Sequence, residues 1–459
     1  MRMNRIAAGL VSLSVLATGI FAPTLSRAET LTDALIGAYR HSGLLEQNRA
    51  TLRAADEDVA QAVSTLRPVI SYLGTSTYNY SWTTGSGQLN SNLSLSLQQL
   101  LFDFGASRLA IEAAKETVLA TREALIGVEM QVLFNAVDAF LSVRNSSAQV
   151  NLRQSNVRLI QQELRAARDR FEVGEVTRTD VAIAESRLAA SQAGLAAAIG
   201  NLAQAREAYR LAVGRYPGDL SAPPTPPKTA RTLDDATAVA RRTHPEIRRA
   251  MRLVTVAELN IARAESAMKP RLTLQGQIGV DEDLNNTSSL GLRLGGTIYQ
   301  GGALSSAMRQ AQARRDGVRA TLHQTRHAVD QNVGNAWAFL AVAQASLQAS
   351  QEQVRASTVA FRGVQEEATL GARTTLDVLN AEQELLDARA AQITAETDRV
   401  LSVYSLLSAM GLLTVEHLGL GIVTYDPAAY YNAVRDAPTR FVSPQGEKLD
   451  RVLKSLGKN

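Results

Sequence analysis

No cysteine occurs among the 459 residues, which excludes disulfide bonds, thiolate metal sites, cysteine nucleophiles and a lipid-modified N-terminal cysteine. Aromatic residues make up only 5% of the chain and charge is modest at 20%, while small helix formers fill long stretches. That composition points to extended helices in place of several compact domains. Proline is absent from residues 69–216 and 271–426. One interior proline costs a helix about 3 kcal/mol, so long uninterrupted helices are permitted there. Beyond residue 28 no stretch offers 18 uninterrupted apolar residues, so a membrane role has to use β-strands.

Chemistry-bearing motifs are equally scarce. His323 and His327 stand four apart on one helical face, but Gln324 follows the first and no glutamate base accompanies them, so they read as surface helix residues. His41, His244 and His417 are scattered, no phosphate-binding glycine loop is present, and no serine sits in a nucleophile elbow. Nothing argues for catalysis or for a cofactor.

What is present begins with an export signal. Arg2 and Arg5 precede an apolar run at residues 6–21, and Ser26-Arg27-Ala28 is a small-residue cleavage site. The run is 16 residues long, short of the roughly 20 that a spanning helix needs. Residues 1–28 are therefore read as a signal peptide, with the mature chain starting near Glu29. Removing them lowers the formal charge from +4 to +1, so the basic balance is no nucleic-acid footprint.

The mature chain repeats itself. Gly174 with Asp180-Val181 recurs as Gly371 with Asp377-Val378, an offset of 197 residues. The same offset carries Ala184-Glu185 onto Ala381-Glu382, Leu188 onto Leu385, and Phe140 onto Trp337. Upstream the offset is 202, pairing Leu31 with Leu233 and Pro68 with Pro270, so the first copy holds five extra residues between Pro68 and Gly105. We expect that insertion in a loop. Between the copies, Pro217, Pro223, Pro224, Pro226 and Pro227 mark a linker. The expected divisions are repeat 1 at 29–215, the linker at 216–230, repeat 2 at 231–413, and a tail at 414–459 with no repeat partner. The tail either wraps the helices or lacks fixed structure, and no function is assigned to it.

Within each repeat the periodicity changes. Val181, Ala184, Leu188, Ser191, Leu195, Ile199, Leu202, Ala205 and Tyr209 follow three- and four-residue steps, the mark of one packed helical face. Residues 106–173, as one helix, would extend on the order of 100 Å. After Pro68 the period is two: Tyr72, Gly74, Ser76, Tyr78, Tyr80 and Trp82 alternate with polar residues. Leu93, Leu95 and Leu97 alternate likewise, as do Leu272, Leu274, Gly276, Ile278 and Val280, and then Leu290, Leu292 and Leu294. Each repeat thus carries one hairpin, with polar loops expected at residues 83–91 and 281–288. Strands of about ten residues can span a bilayer when tilted. Four strands leave two open edges that lipid does not tolerate, so several chains have to close the sheet. Two chains with eight strands and three with twelve both satisfy that requirement.

The signal, the duplicated helix–hairpin–helix layout, Phe-Glu-Val-Gly-Glu-Val-Thr-Arg-Thr-Asp-Val at 171–181 and Leu-Gly-Ala-Arg-Thr-Thr-Leu-Asp-Val-Leu at 370–379 together resemble the TolC family of outer-membrane efflux proteins. The resemblance covers roughly residues 30–413. It implies an α+β membrane protein: a homotrimer whose 12-stranded β-barrel, four strands per chain, continues as a long antiparallel α-helical barrel through the periplasm of a Gram-negative bacterium. It implies a passive exit duct for efflux or type I secretion. The partners would be a periplasmic adaptor and an inner-membrane transporter, ABC-type or proton-driven, with no cofactor and no nucleic acid. Gly174 and Gly371 would form the adaptor-docking tip. Thr179, Asp180 and Arg373 match the gate, with Arg373 linking to the other two, and Asp377 matches an acidic constriction ring. The second ring position is Asn380, so the constriction is less charged, and the gate tyrosine of the best-known member is replaced by Ala368. A periplasmic coiled-coil adaptor or scaffold is the competing reading, since it would share the helices without needing membrane strands.

Overall fold

The computed structural model describes residues 28–438 and residue 451. The expected signal peptide, apart from Ala28, and most of the tail beyond 438 lie outside the described residues. Two helix–helix–strand–strand–helix–helix units follow one another. The first contains α1 (Leu31–His41), α2 (Gly43–Ser64), β1 (Val69–Ser81), β2 (Ser86–Phe102), α3 (Ala106–Glu172) and α4 (Arg178–Val213). The second contains α5 (Leu233–Thr243), α6 (Pro245–Ser266), β3 (Arg271–Asp281), β4 (Asn286–Gly295), α7 (Ala303–Thr369) and α8 (Thr375–Ala409), and a short α9 (Pro427–Val434) follows.

α3 and α7 are 67 residues each, about 100 Å at 1.5 Å per residue. Each pairs with the shorter helix that follows it. The seam of α4 buries Ala184, Ser191, Ala198 and Ala205, spaced by seven, the repeat that keeps one stripe facing a partner in a coiled coil. Ile199, expected on that face, is 49% exposed and Ala198 is buried in its stead, because the buried positions recur every seven residues from Ala184 and position 199 stands one residue, about 100°, off that stripe. Small side chains let the paired helices approach closely. In α8, Ala388, Ala395 and Ser402 repeat the spacing.

The hydrophobic core sits midway along the molecule. Leu31 and Leu35 of α1, Leu133 and Phe140 of α3, Tyr209 of α4 and Leu407 of α8 form its main cluster. The second repeat builds a smaller one from Ala236, Ile247, Val333 and Leu406, with half-buried Trp337 packed on it. Among the described residues α3 alone is long and apolar enough to cross a membrane, but half of its apolar window is buried. Its neighbours are α1, α2, α4, α6 and α8, so it is a core helix. Residues 221–230 of the linker adopt neither helix nor strand, and Arg144 of α3 holds the linker by donating to the carbonyls of Leu220 and Ser221.

The four strands form one antiparallel sheet in the order β1-β2-β3-β4. Both turns are tight, residues 82–85 and 282–285. The long loops expected at 83–91 and 281–288 are not present, and the extra length of the first copy lies in its strands. β1 and β2 are 13 and 17 residues against 11 and 10 for β3 and β4. Asn92 pairs with Asp281 at the tip of β3, so residues 86–91 of β2 pair with β1 alone. Ser, Gly, Gln and Asn dominate that run, which disguised it as loop.

The register sorts the side chains onto two faces. Across one face run the rows Ile70–Leu97–Gly276–Leu290 and Tyr72–Leu95–Ile278–Ser288. Across the other run Ser71–Ser96–Gln277–Ser289 and Thr75–Asn92–Asp281. The apolar face is bare in the single chain, with Tyr72 83%, Leu290 75% and Trp82 90% exposed. Aromatic pairs stand at both ends, Tyr80 on Trp82 beside the outer turn and Phe102 on Phe104 at the strand feet, with centroids 5.0 and 4.7 Å apart. One apolar face backed by one polar face is the pattern of an outer-membrane barrel wall.

The described part of the tail is docked. The Arg49 guanidinium lies between the rings of Tyr39 and Tyr425, 5.3 Å from each. Tyr430 donates to Glu57 at 2.7 Å, and Arg67 donates to the carbonyls of Asp436 and Ala437. Of the two alternatives for the tail, its described residues take the first and wrap α1 and α2.

Candidate functional site

The two turns that close the coiled-coil pairs are built alike. At the end of α3, Gly174 takes φ +84°. Its amide donates to the Phe171 carbonyl at 3.0 Å, and the Glu175 amide reaches back to Arg170 at 2.9 Å. At the end of α7, Gly371 takes φ +77°, with Gly371 donating to Ala368 at 3.1 Å and Ala372 to Glu367 at 2.9 Å. Both are Schellman caps, which require the left-handed conformation that glycine adopts without strain. Nothing stands within 4 Å of a Cβ added at either position, so the constraint is the backbone angle and not space. Gly174→Ala or Gly371→Ala is expected to cost about 1–2 kcal/mol locally, seen as faster amide hydrogen exchange at the tip with the thermal transition of the strands unchanged.

The next helix starts in each case with a capping box. Thr177 caps α4 and Asp180 answers it: Oδ2 accepts from the Thr177 hydroxyl at 2.7 Å and from its amide at 2.9 Å. Thr374 and Asp377 repeat the arrangement at the start of α8, at 2.8 and 3.0 Å. The Thr-x-x-Asp spacing is the sequence signature of this cap, and it gives both aspartates a structural task. The hydroxyl and amide of Thr177 hold the Asp180 carboxyl below the usual carboxylate range, and the amide and hydroxyl of Thr374 do the same for Asp377. Both groups are charged at neutral pH.

Between the turns lies a cavity of about 950 Å³ whose lining includes Thr177 and Asp180 from one side and Gly371, Arg373 and Thr374 from the other. Thr179, Gly174, Asp377 and Asn380 are not in that lining. Within one subunit, Arg373 pairs with Glu367 at 2.8 Å, both side chains about half exposed, and not with Thr179 or Asp180. Asn380 accepts from Arg187 at 2.9 Å, so the second ring position ties α8 to α4.

A group that the sequence reading passed over lies two turns into α8. Glu382 is 3% exposed. Its Oε1 accepts from Asn156 of α3 at 2.8 Å, while Oε2 is buried without a hydrogen-bond partner. Burial, helped by the negative charge of Glu163, pushes its carboxyl up to about 7. The repeat held the signal. Glu185, the counterpart of Glu382, is exposed and pairs with Arg168 at 2.7 Å, but position 365, the counterpart of Arg168, is glutamine. The second copy keeps the carboxylate and has lost its arginine.

The family model described as outer membrane efflux protein matches residues 38–215 and 237–412, one segment for each repeat. The chain belongs to the outer membrane efflux protein family. It is 35% identical to the outer membrane efflux protein BepC of Brucella suis biovar 1, over 95% of this chain and 97% of that one. It is 24% identical to the outer membrane protein TolC of Escherichia coli K12, over 86% and 85%. Among solved structures, CusC superposes with a TM-score of 0.75 at 18% identity, covering 84% of this chain and 95% of that one. Membership makes this efflux protein a channel of the Gram-negative outer membrane and not an enzyme. The four strands and paired long helices are the family's channel fold, as the motifs at 171–181 and 370–379 led us to expect.

Proposed function

We propose that the chain forms a passive outer-membrane exit duct, closed as a homotrimer, for a tripartite efflux or type I secretion system. The observation that carries this reading is the sheet: one apolar face, one polar face, and unpaired outer edges on β1 and β4, continuous with helices about 100 Å long. Lipid leaves no edge unpaired, and twelve strands from three chains close a barrel with the polar face inward. The competing adaptor reading would leave Tyr72, Trp82 and Leu290 bare in water, at 83%, 90% and 75% exposure. No nucleotide-binding loop is present in the sequence, so an inner-membrane transporter drives cargo and a periplasmic adaptor joins it to the tip. Val173 and Leu370, 71% and 85% exposed beside Gly174 and Gly371, give such an adaptor an apolar foothold.

The tip is the gate. An exposed ion pair is worth roughly 0–1 kcal/mol, so Arg373 can exchange Glu367 for Thr179 or Asp180 of an adjoining subunit at little cost. Three Asp377 carboxylates make a negative collar that favours cations. In planar bilayers, Arg373→Ala and Asp180→Ala are expected to raise single-channel conductance several-fold, and Asp377→Asn to reduce cation selectivity. Thr177→Ala removes the α4 cap but keeps the Asp180 charge, and should leave conductance near the wild-type value. Unchanged conductance in Arg373→Ala discards the latch, and failure of the mature chain to insert discards the duct.

A further inference from the structure

We propose that a groove on the apolar face of the sheet, centred on Gly276, holds one acyl chain of an anionic phospholipid from the periplasmic leaflet. The cavity measures about 450 Å³ and is walled by Ile70, Leu95, Leu97, Ile278 and Leu290, with Gly276 as its floor. Register explains the dip: in the row Ile70–Leu97–Gly276–Leu290, every strand but β3 contributes a branched side chain. A Cβ at Gly276 would meet Leu290 Cδ1 at 3.4 Å and Leu97 Cβ at 3.8 Å, which is ordinary contact. The absence of a side chain there is therefore not forced by crowding, and it leaves open a space lined mainly by hydrocarbon, with the polar Ser288 on the same face at its margin.

What covers the groove follows from how the barrel closes. Closure uses the edges of β1 and β4, not the faces, so the apolar face stays turned to the bilayer and a neighbouring subunit does not fill the dip. Gly276 is five residues above the foot of β3 at Arg271, roughly 16 Å along a strand and less in depth once tilted. The periplasmic half of the hydrocarbon core is about 15 Å deep. The groove thus lies within one acyl-chain length of the periplasmic interface.

The feet of the strands select the headgroup. Arg67 and Arg271 flank the ends of the helices beneath β1 and β3, and the Lys269 ammonium stands 5.8 Å from the ring centroid of Phe104. Arg435 is brought in by the docked tail, whose next two carbonyls bind Arg67. Of the acids nearby, Asp103 is engaged in capping α3 through Gly105 and Ser107, and Asp436 is paired with Arg435 at 3.9 Å. Glu112 is paired with Lys115 at 2.9 Å, while Glu265 stands in the last turn of α6, four residues before Lys269. Arg67, Lys269, Arg271 and Arg435 gather guanidinium and ammonium groups at the feet of the strands, and basic clusters at headgroup height attract anionic lipids.

The inference rests on the barrel reading, and the experiment separates the two. Wild type and Gly276→Phe would be extracted from outer membranes in mild detergent, checked for trimer mass and conductance, and analysed by native mass spectrometry for bound lipid. Wild-type trimers are expected to retain up to one phosphatidylglycerol per subunit. Gly276→Phe trimers, with unchanged conductance, are expected to retain roughly tenfold less, about 1.4 kcal/mol of binding. After delipidation and incubation with equal phosphatidylglycerol and phosphatidylcholine, Lys269→Gln/Arg271→Gln should lose the preference for phosphatidylglycerol. Equal retention by wild type and Gly276→Phe, wild-type trimers without lipid, or retention of lipopolysaccharide in its place overturns the proposal while leaving the channel standing. Absence of trimers in the wild type overturns the barrel reading itself.

Discussion

Ile278→Arg is expected to abolish accumulation of folded trimer in the outer membrane, whereas Gln277→Arg, one residue away, leaves it at wild-type level. The two positions share a strand and a depth and differ only in face. Ile278 pairs with Leu95 and Ser288 on the apolar side, and Gln277 pairs with Ser96 and Ser289 on the polar side. An arginine facing lipid near the bilayer centre costs about 2–4 kcal/mol per barrel strand position, while the same residue facing the lumen is solvated. Threefold symmetry multiplies the penalty. Heat-modifiable migration of the trimer on gels and its yield in outer-membrane fractions are the readouts. Equal yields for both variants would mean that the sheet is not a barrel wall.

The second large effect is a reversal of pH dependence at Glu382. A carboxyl whose folded-state pKa is raised binds its proton more tightly when folded than when unfolded. Its neutral form therefore favours the fold at low pH, and that stability is lost as pH rises from the unfolded value of 4.5 through about 7. The span corresponds to roughly 3 kcal/mol per subunit as an upper bound. The charged groups around it are Glu163 on α3, which opposes ionisation, and Arg187 on α4, which favours it. Glu382→Gln keeps the bond from Asn156 and removes the titration, so the variant should gain stability over wild type at pH 8 and match it at pH 5. Asp56, buried on α2 and pushed up to about 6 by burial, adds a slope of the same sign to both proteins, so the diagnostic quantity is their difference. Parallel denaturation midpoints for the two proteins from pH 5 to 8 would refute a charged, buried Glu382.

Much of this architecture was legible because it is periodic. The 197-residue offset marked two equivalent units, the absence of proline permitted both long helices, and alternation put Leu95 and Leu97, Ile278, and Leu290 each on the apolar side of its own strand, which the register then joins into one face. Periodicity also set the limits. Residues 86–91 carry no apolar alternation because they pair beyond the end of β3, so they passed for a loop. The gate and ring roles of Asp180 and Asp377 come from the resemblance alone, whereas their shared capping task is written locally, in Thr-x-x-Asp at both places. Glu382 needed a comparison of the copies at their partners, Arg168 against Gln365, and not at the carboxylates themselves. The tail was unreadable for a different reason. Its anchors join residues far apart in sequence, Tyr425 to Arg49 and Tyr430 to Glu57, and such contacts leave no local pattern.

The unequal hairpins shape the far end of the duct. Residues 86–91 rise past the last pair with β3, about 20 Å of strand at 3.3–3.4 Å per residue. In a ring of three chains, tall hairpins alternate with short ones, and the extracellular mouth is scalloped. The Tyr80–Trp82 pair sits on the tall crests, while Asp281, Glu282 and Asp283 crowd the turns in the notches. A large particle approaching from outside meets three aromatic, uncharged prominences first, and a small cation meets three acidic gaps between them.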